Sequence, residues 1–434
     1  MMLLRLSVII LILNSIVFAQ EEMTLEEAIR IGLENNYSIR IARNNSDIAS
    51  NNKGLGTANF LPTLDAAAGY QKSSTEEETN SPFSFGDTET DNLTASVSLN
   101  WTIFDGFRMF AERGRYSKLA KLGEYQAREI IENSVLAISQ AYFNLVQQEQ
   151  LLEATIDSRD VSETRLEKEK IRNELGGASS TDLLNATVSF NNDQALYLNQ
   201  QLNVITATEE LNLLLGREPD SQVKVRKEIK IPPFTLDMEE IDKIAIERNS
   251  SLKVAEFDVK AAEHTVGSAR AAFFPRLNLN AGYSYTDRTI SRETGSGDIT
   301  TESKGASIGL NLTFNIFNGT RDMISYKNAV LTARNKKLAL ENAENNLKGE
   351  VRRLYETYKK RMELLRLEET NVRAANQNLK LQQDRYAIGA TSSIEFRDAQ
   401  VNLLRTQTSL ISARFQARIA LLRIEKLIGQ LPVE

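Results

Sequence analysis

The chain has 434 residues, a formal net charge of −6 and no cysteine. The lack of cysteine excludes a disulfide framework, a thiolate metal site and a lipid-anchoring cysteine. Mild acidity without a basic cluster argues against nucleic acid, so no nucleic-acid partner is predicted.

The first residues have the pattern of an export signal. Arg5 precedes an apolar run from Leu6 to Leu13, and Val17 and Ala19 supply the small residues of a cleavage site before Gln20. The run is shorter than the roughly 20 residues that a membrane-spanning helix needs. We therefore predict a signal peptide at 1–19 and an exported mature chain.

The mature sequence contains two copies of one unit, offset by 213 positions. The offset joins residues all along the copies: Asn36 and Asn249, Pro62 and Pro275, Gly106 and Gly319, Tyr142 and Tyr355, Gly176 and Gly389, Gly216 and Gly429, Pro219 and Pro432. A constant offset over such a length indicates an internal duplication. The predicted organisation is repeat 1 at 20–218, a proline-containing linker at 219–236 and repeat 2 at 237–434.

Each copy is predicted to begin with one short helix and to continue with two strands. Thr24-x-x-Glu27 and Asp237-x-x-Glu240 are N-cap signatures for the helices. Alternation of apolar and polar residues then predicts strands at about 62–71, 92–104, 275–286 and 305–317. The apolar residues of each strand share one face, and mostly Asn, Ser and Thr occupy the other.

Alternation alone is equally consistent with a soluble sheet that covers a core. Two features favour a membrane sheet. Each segment has the length of about 10 to 12 residues with which a tilted strand crosses lipid. Aromatic residues also lie near segment ends, as in an interfacial belt: Tyr70, Trp101, Tyr283, Tyr285 and Phe314. Four strands cannot close a barrel, which needs about eight, so the barrel is predicted to be shared between chains.

Long proline-free segments follow each strand pair. They predict helices at about 107–174, 179–216, 320–387 and 392–429, with only a glycine-containing turn inside each hairpin. The longer helices would extend about 100 Å at 1.5 Å per residue. Ile131, Val135, Ile138, Tyr142 and Leu145 alternate in spacing between four and three residues, which is typical of a coiled-coil seam.

This order of features resembles the outer-membrane efflux protein family, the TolC-like trimeric exit ducts. The resemblance runs from Met23 to about Pro432. Its local matches are Thr24–Ala28 with Asn35 and Asn36, the strand entries Phe60-Leu61-Pro62 and Phe273-Phe274-Pro275, the corners Phe104-Asp105-Gly106 and Phe317-Asn318-Gly319, and the tip segment Arg385–Phe396.

The resemblance implies an α+β membrane protein in which three chains form a 12-stranded β-barrel, four strands from each, continued by an α-helical coiled-coil barrel. It implies an outer-membrane location with extension into the periplasm. The implied function is passive: the exit duct of a tripartite efflux or type I secretion system. A periplasmic adaptor protein and an inner-membrane pump or ABC exporter would open it.

The resemblance also assigns roles at the helix tips. Gating or selectivity is implied for Asp182, Tyr386, Glu395 and Asp398, with Asp182 and Tyr386 hydrogen-bonding between neighbouring hairpins. Adaptor contact is implied for Gly176, Gly177, Ala178, Gly389, Ala390 and Thr391. Thr391 departs from the family, in which a basic residue is common at that position. Ser179-x-x-Asp182 and Ser392-x-x-Glu395 are also helix caps, so capping and gating both stay open there, and Asp398 is the cleaner gate candidate.

No enzyme is predicted. His264 is the only histidine and has no cysteine or second histidine with which to bind a metal, and no phosphate-binding loop follows a strand. No catalytic residue, metal or cofactor is therefore assigned. The alternative function is a structural coiled-coil tether of the envelope without transport, but polar strand faces and aromatic strand ends favour a duct. The sequence leaves the cargo and the pump class open.

Overall fold

The computed structural model describes residues 22–76, 87–176, 179–292 and 297–432. The predicted signal peptide and the tip residues Gly177 and Ala178 lie outside this range. The described elements, in chain order, are α1 (Leu25–Asn35), α2 (Tyr37–Asn51), β1 (Thr63–Thr75), β2 (Thr88–Phe104), α3 (Arg108–Glu174), α4 (Ser180–Leu215), α5 (Met238–Arg248), α6 (Ser250–Arg270), β3 (Arg276–Arg292), β4 (Ile299–Thr313), α7 (Arg321–Ala387) and α8 (Ser393–Leu427).

The backbone keeps the offset that the sequence shows. The first residues of α3 and α7, Arg108 and Arg321, are 213 positions apart, as are those of α4 and α8, Ser180 and Ser393. Left-handed glycines recur with the same offset: Gly106 and Gly319, Gly176 and Gly389, Gly216 and Gly429. The two internal repeats are therefore confirmed, and the four long helices have nearly the predicted bounds.

The prediction of a single short helix at the start of each copy is wrong, because each copy has two. Asn36 separates α1 from α2, and Asn249 separates α5 from α6, both with extended backbone at ψ 124° and 121°. The Oδ1 atom of Asn36 accepts a hydrogen bond from the amide of Ser38 at 2.9 Å. The Oδ1 atom of Asn249 accepts one from Leu252 at 3.0 Å. Each asparagine thus ends one helix and caps the next.

The elements fall into two compact units. The strand unit contains Ile41–Ile130 and Asp242–Glu350. The helical unit contains the described residues up to Arg40, Ile131–Ile241 and those from Val351 onward.

The strand unit holds an antiparallel four-stranded sheet in the order β1-β2-β3-β4. Its register places Leu64, Leu99, Ala281 and Ile308 in one cross-strand row. The neighbouring row contains Ala66, Val97, Tyr283 and Ala306. Because side chains alternate along a strand, this register collects the apolar residues of all four strands on one face.

Strand β4 ends at Thr313, short of the predicted end near 317. Its last ladder partner is Arg276, which follows Pro275 and a 3₁₀ turn at Ala271–Phe273. Proline has no amide proton to extend the ladder. Phe314 and Ile316 therefore lie beyond the strand. At the other end all four strands continue past their predicted limits into mostly polar residues, which the apolar pattern did not indicate.

The helical unit has a core drawn from α1, α3, α4 and α8. The seam residues Val135, Ile138 and Leu145 of α3 are fully buried there, which confirms the predicted seam. Val225 of the 219–236 linker forms a parallel bridge with Met23 and joins this core. Tyr142 donates a hydrogen bond from its hydroxyl to the carbonyl of Met23 at 3.0 Å. Burial raises the pKa of Tyr142 to about 12.

Candidate entrance and candidate membrane face

The hairpin tips are built from matched helix ends. Gly176 and Gly389 have φ of +76° and +72°, and no atom of the described residues lies within 4 Å of a Cβ placed at either glycine. The left-handed turn, rather than crowding, therefore accounts for glycine at both positions. Leu175 and Ile388 precede these glycines and are 81% and 80% exposed. This matched apolar pair was not singled out from the sequence, although each residue adjoins its turn glycine.

Both acidic residues that follow the tips contact the serine that caps their helix. The Ser179 hydroxyl accepts from the amide of Asp182 at 3.2 Å and donates to its carboxylate at 2.9 Å. Ser392 and Glu395 form a reciprocal capping box. Hydrogen bonds from the Thr391 hydroxyl and the Ser392 amide hold the pKa of Glu395 below its usual value. A reciprocal capping box is therefore observed at Glu395, whereas at Asp182 the cap is Ser179 alone, and a gating role for both acidic residues stays a prediction.

Asp398 differs from these two residues. It is exposed and has no ion pair with any residue in the described part of the chain. A solvated carboxylate that does not cap a helix can attract cations electrostatically. The hydroxyl of Thr391 takes part in a hydrogen bond within the tip, because it donates to the carboxylate of Glu395.

Tyr386 contacts a residue that the sequence analysis missed. Its hydroxyl donates to the carboxylate of Glu169 on α3, and its ring stacks on Phe396 with centroids 5.2 Å apart. Glu169 is 1% exposed, and Arg172 lies 3.6 Å from its carboxylate. Burial, followed by the bond to Glu169, raises the pKa of Tyr386. Within this chain Tyr386 therefore bonds to Glu169, and the bond between Asp182 and Tyr386 of neighbouring hairpins stays a prediction.

A second buried polar contact joins α8 to the first hairpin. The guanidinium of Arg397 binds both oxygens of Asp193 on α4, at 2.5 and 2.8 Å. Gln400, also on α8, donates to the carbonyl of Ser158 on α3 at 2.7 Å. Paired charges of this kind are costly to separate, because one partner would be left buried and uncompensated.

Arg165 completes this polar seam. It is 3% exposed and donates from Nη2 to the hydroxyl of Ser189 at 3.0 Å. Its Nε and Nη1 have no hydrogen-bond partner among the described residues, and burial lowers its pKa. Ser158, Ser162, Arg165 and Glu169 recur at alternating spacings of four and three. That spacing could have revealed the seam, because it places polar residues where a coiled coil buries side chains.

The sheet presents the second candidate surface. On β2 the apolar face runs from Leu93 to Ile103, about 33 Å along a strand. A tilt of about 40° reduces this to about 25 Å, the usual height of an apolar band on a membrane barrel. Residues of this face are exposed in the single chain, including Leu64, Ile308 and Leu310. The sheet therefore has an apolar face of membrane dimensions that no other described residues cover.

The five predicted belt aromatics are placed unequally. Tyr70 lies near the loop end, where its hydroxyl donates to Asp91 at 2.5 Å. Tyr285 is opposite Lys304 near the same end. Trp101 lies near the other end and donates from Nε1 to the carbonyl of Phe60 at 3.0 Å. Tyr283 is further inside the face, opposite Ala306, and Phe314 follows the end of β4.

A further aromatic group, missed in the sequence, surrounds the first strand-to-helix corner. Phe107 lies 5.1 Å from Phe104 and 6.1 Å from Phe274 between ring centroids, and Phe110 lies 5.1 Å from Phe60. Phe107 and Phe110 are both exposed, and Phe107 has a positive φ of 69°. The corner turn thus directs large apolar rings outward at one end of the apolar face, as interfacial aromatics are placed.

None of the helices described is long and apolar enough to cross a membrane. Within the same residues, no group of His, Cys, Asp and Glu side chains is arranged to hold a metal ion.

Comparison with known proteins agrees with this geometry. A model of the family "outer membrane efflux protein" matches residues 28–217 and 243–430, once in each repeat. The probable efflux pump outer membrane protein TtgC of Pseudomonas putida is 23% identical over 423 residues, which cover 93% of this chain and 82% of TtgC. The outer membrane protein TolC of Vibrio cholerae is 22% identical over 373 residues, which cover 86% of this chain and 83% of TolC.

Among solved structures, the CmeC outer membrane channel of Campylobacter jejuni has a TM-score of 0.81 at 18% identity, covering 94% of this chain and 85% of CmeC. At this identity the likeness concerns the fold. The family match covers most of the sequence in both repeats. The chain therefore belongs to the outer membrane efflux protein family, is located in the outer membrane with a periplasmic part, and acts as an efflux duct.

Proposed function

We propose that three copies of this chain form the exit duct of a tripartite efflux or type I secretion system. The duct would conduct passively from the periplasm to the exterior when a periplasmic adaptor and an inner-membrane pump or ABC exporter open it. The main support is the four-stranded sheet, with its exposed apolar face of membrane height and its edge strands β1 and β4. Four strands do not close by themselves, whereas 12 strands from three chains do.

The internal repeat supplies a register for that closure. Within the chain, β2 of repeat 1 pairs with β3 of repeat 2, and Val97 lies opposite Tyr283. The residue of repeat 2 equivalent to Val97 is Leu310 of β4, and the residue of repeat 1 equivalent to Tyr283 is Tyr70 of β1. The equivalent pairing between chains therefore places Leu310 opposite Tyr70 of the next copy. The same equivalence turns the Thr94–Thr286 pair into Ser307 opposite Ser73. Apolar residues then stay with apolar residues, and polar with polar.

This register also accounts for the early end of β4. In the chain, Trp101 to Phe104 extend beyond the ladder with β1 and pair with β3 alone. The equivalent residues, Phe314 to Phe317, would pair with β1 of the next copy alone. Strand β4 would then reach Phe317 in the assembled barrel, close to its predicted end.

The tips would form the periplasmic entrance. Asp398, repeated three times around an axis, would create a negative focus that favours cations. Tyr386 and Glu169 would hold the second hairpin against the first while the entrance is narrow. The exposed Leu175 and Ile388, with the small residues beside them, would give an adaptor hairpin an apolar surface to grip.

Two measurements test the duct. Light scattering on detergent-purified protein is expected to give the mass of three chains, and planar bilayers are expected to show discrete conductance steps. A protein that extracts without detergent, stays monomeric or never conducts would exclude the duct. A structural tether would fail the conductance measurement in particular.

Cysteine pairs test the register, because the natural chain has no cysteine. Ser73→Cys combined with Ser307→Cys is expected to give covalent multimers under oxidation. The matched control is Thr75→Cys with Ser307→Cys, which moves one partner by two residues along the same strand face. Equal or better cross-linking of the control would show that the register is wrong.

A further inference from the structure

A polar groove marks one side of helices α3 and α6 at the strand-to-helix corners. Its volume is about 660 Å³, and Asn278 of the polar sheet face lines it together with Arg108 of α3 and Ser268 of α6. The Nε atom of Arg108 donates to the hydroxyl of Ser268 at 3.3 Å. The side of each helix that faces away from this groove therefore lies on the apolar side of the sheet.

Two arginines lie on the side that faces away from the groove. Arg113 is about 140° around α3 from Arg108, and Arg270 is about 200° around α6 from Ser268, at roughly 100° per residue. Both arginines are exposed, and neither has an ion pair with a carboxylate in the described part of the chain. Their guanidinium groups can therefore donate hydrogen bonds to an anion from outside the chain.

Arg113 adjoins the aromatic rings of the first corner. Its guanidinium carbon lies 5.9 Å from the centroid of the Phe60 ring, and Phe60 packs edge-on against Phe110 with centroids 5.1 Å apart. Trp101, at the helix end of the apolar face, donates to the carbonyl of the same Phe60. A basic group directly beyond such rings lies where a bilayer has its phosphate groups, just outside the hydrocarbon core.

Arg270 has a corresponding place on α6. It is the last residue of that helix, and the 3₁₀ turn at Ala271–Phe273 follows it. Phe273 and Phe274 are both exposed, and the Phe274 ring lies 6.1 Å from that of Phe107 between centroids. Each of two neighbouring helices therefore carries one arginine close to exposed aromatic rings, at the same end of the apolar face.

The loop end of the apolar face has a different balance of charge. Its lysines are each paired with a carboxylate, Lys72 with Glu89 at 3.0 Å and Lys304 with Glu302 at 2.6 Å. Asp287 lies opposite Glu302 and adds a further carboxylate to the same face. Among the described residues of this end the carboxylates therefore outnumber the lysines. A phosphate group would be attracted to the helix end of the face and repelled at the loop end.

We propose that Arg113 and Arg270 bind the phosphate groups of anionic phospholipids at the helix end of the membrane face. Arginine suits this partner, because its planar guanidinium can donate two parallel hydrogen bonds to one phosphate. Attraction to an anionic bilayer surface adds about fivefold in affinity for each basic residue. In the duct the helix end is the periplasmic one, so each chain selects anionic lipids in the periplasmic leaflet. This inference rests on the membrane placement proposed above.

Fluorescence of the single tryptophan tests the proposal at the site itself, because Trp101 is bonded to Phe60, over whose ring Arg113 lies. The full chain is reconstituted into vesicles of phosphatidylcholine and phosphatidylglycerol, in which one lipid at a time carries bromine on its acyl chains. Bromine quenches indole fluorescence at short range, so the two quenching curves give the relative affinity for the two lipids. Phosphatidylglycerol is expected to be favoured by at least about fivefold at low salt, and less as salt screens the charges.

Matched variants separate this site from the general charge of the protein. Arg113→Gln with Arg270→Gln is expected to abolish the preference for phosphatidylglycerol. The control, Arg334→Gln with Lys348→Gln, removes the same charge from exposed positions about 20 and 40 Å along α7 and is expected to keep it. Equal quenching by both lipids in the unmodified chain, a preference that survives the first double variant, or equal losses in both variants would overturn the proposal while the membrane face stood. No quenching by either lipid would reject the membrane placement, and the duct with it.

Discussion

The sheet and the helices near the tips distribute apolar and charged residues in opposite ways. The sheet exposes apolar residues such as Ile308 and Leu310, whereas the helices bury charged residues such as Glu169 and Asp193. Each arrangement reverses the usual rule for a soluble chain, in which apolar groups are buried and charges are solvated. The apolar face of the sheet therefore indicates an apolar medium outside the single chain, and the buried charges of the helices indicate a contact that depends on particular partners.

The difference indicates what each region is selected to do. Burial of apolar area is non-directional, so an exposed apolar face needs only a fluid apolar medium such as lipid. Buried ion pairs are directional, and they specify one geometry at some cost in stability. The membrane face of the sheet can thus tolerate many apolar replacements, whereas the helix contacts near the tips depend on particular charged partners.

The largest expected effect comes from breaking a buried pair. Asp193→Ala leaves Arg397 without its partner and is expected to cost about 3–5 kcal/mol of unfolding free energy. Chemical denaturation followed by circular dichroism would measure it. Thr406→Ala, at the equivalent position of repeat 2, is the control and is expected to have little effect. Equal losses would show that the Arg397–Asp193 pair contributes no more to stability than the uncharged position of the other repeat.

Replacing both partners sharpens the same comparison. Asp193→Thr with Arg397→Leu introduces the residues that the other repeat has at the equivalent positions, Thr406 and Leu184. This double variant is expected to recover much of the stability lost in Asp193→Ala, since no charge stays buried and unpaired. A double variant less stable than Asp193→Ala would contradict this account.

The membrane face is tested by adding a charge to it. Ile308→Arg lies within the apolar rows and is expected to cost about 2–4 kcal/mol of folding free energy in lipid vesicles. Its neighbour gives the control, because Ser307→Arg points to the opposite face. If Ser307→Arg were the more damaging change, the assignment of the two faces would be inverted.

Alkaline pH tests the core of the helical unit. Burial raises the pKa of Tyr142 to about 12, so the folded chain keeps a proton that the unfolded chain loses above about 10. The contribution is complete below pH 10 and is lost as pH rises towards 12, at up to about 2–3 kcal/mol. Tyr142→Phe is expected to remove this part of the pH dependence. A wild-type and variant pair that lose stability in parallel between about pH 10 and 12 would refute it.

The sequence supports the fold better than the tip contacts, for a physical reason. Period-two alternation and the 213-residue offset are properties of whole segments, so strands and long helices followed from them. The break at Asn36 depends on a single residue that acts as both an end and a cap. The Tyr386–Glu169 contact joins residues 217 positions apart, and no local pattern specifies such a pair. Asp182 and Glu395 illustrate the intermediate case, since the motif indicated capping and gating equally.

The smallest expected change in stability comes from substitutions of the acidic residues at the entrance. There we expect ion conduction to change rather than the free energy of unfolding. Asp398→Ala removes an exposed carboxylate outside the cap and is expected to weaken block by multivalent cations without altering the denaturation midpoint. Glu395→Ala removes a capping partner and is expected to lower the midpoint slightly with less effect on block. The double variant should combine both changes and raise conductance. Single-channel recording with added trivalent cations measures the block, and a stronger effect of Glu395→Ala than of Asp398→Ala would transfer the gating role to the capping residue.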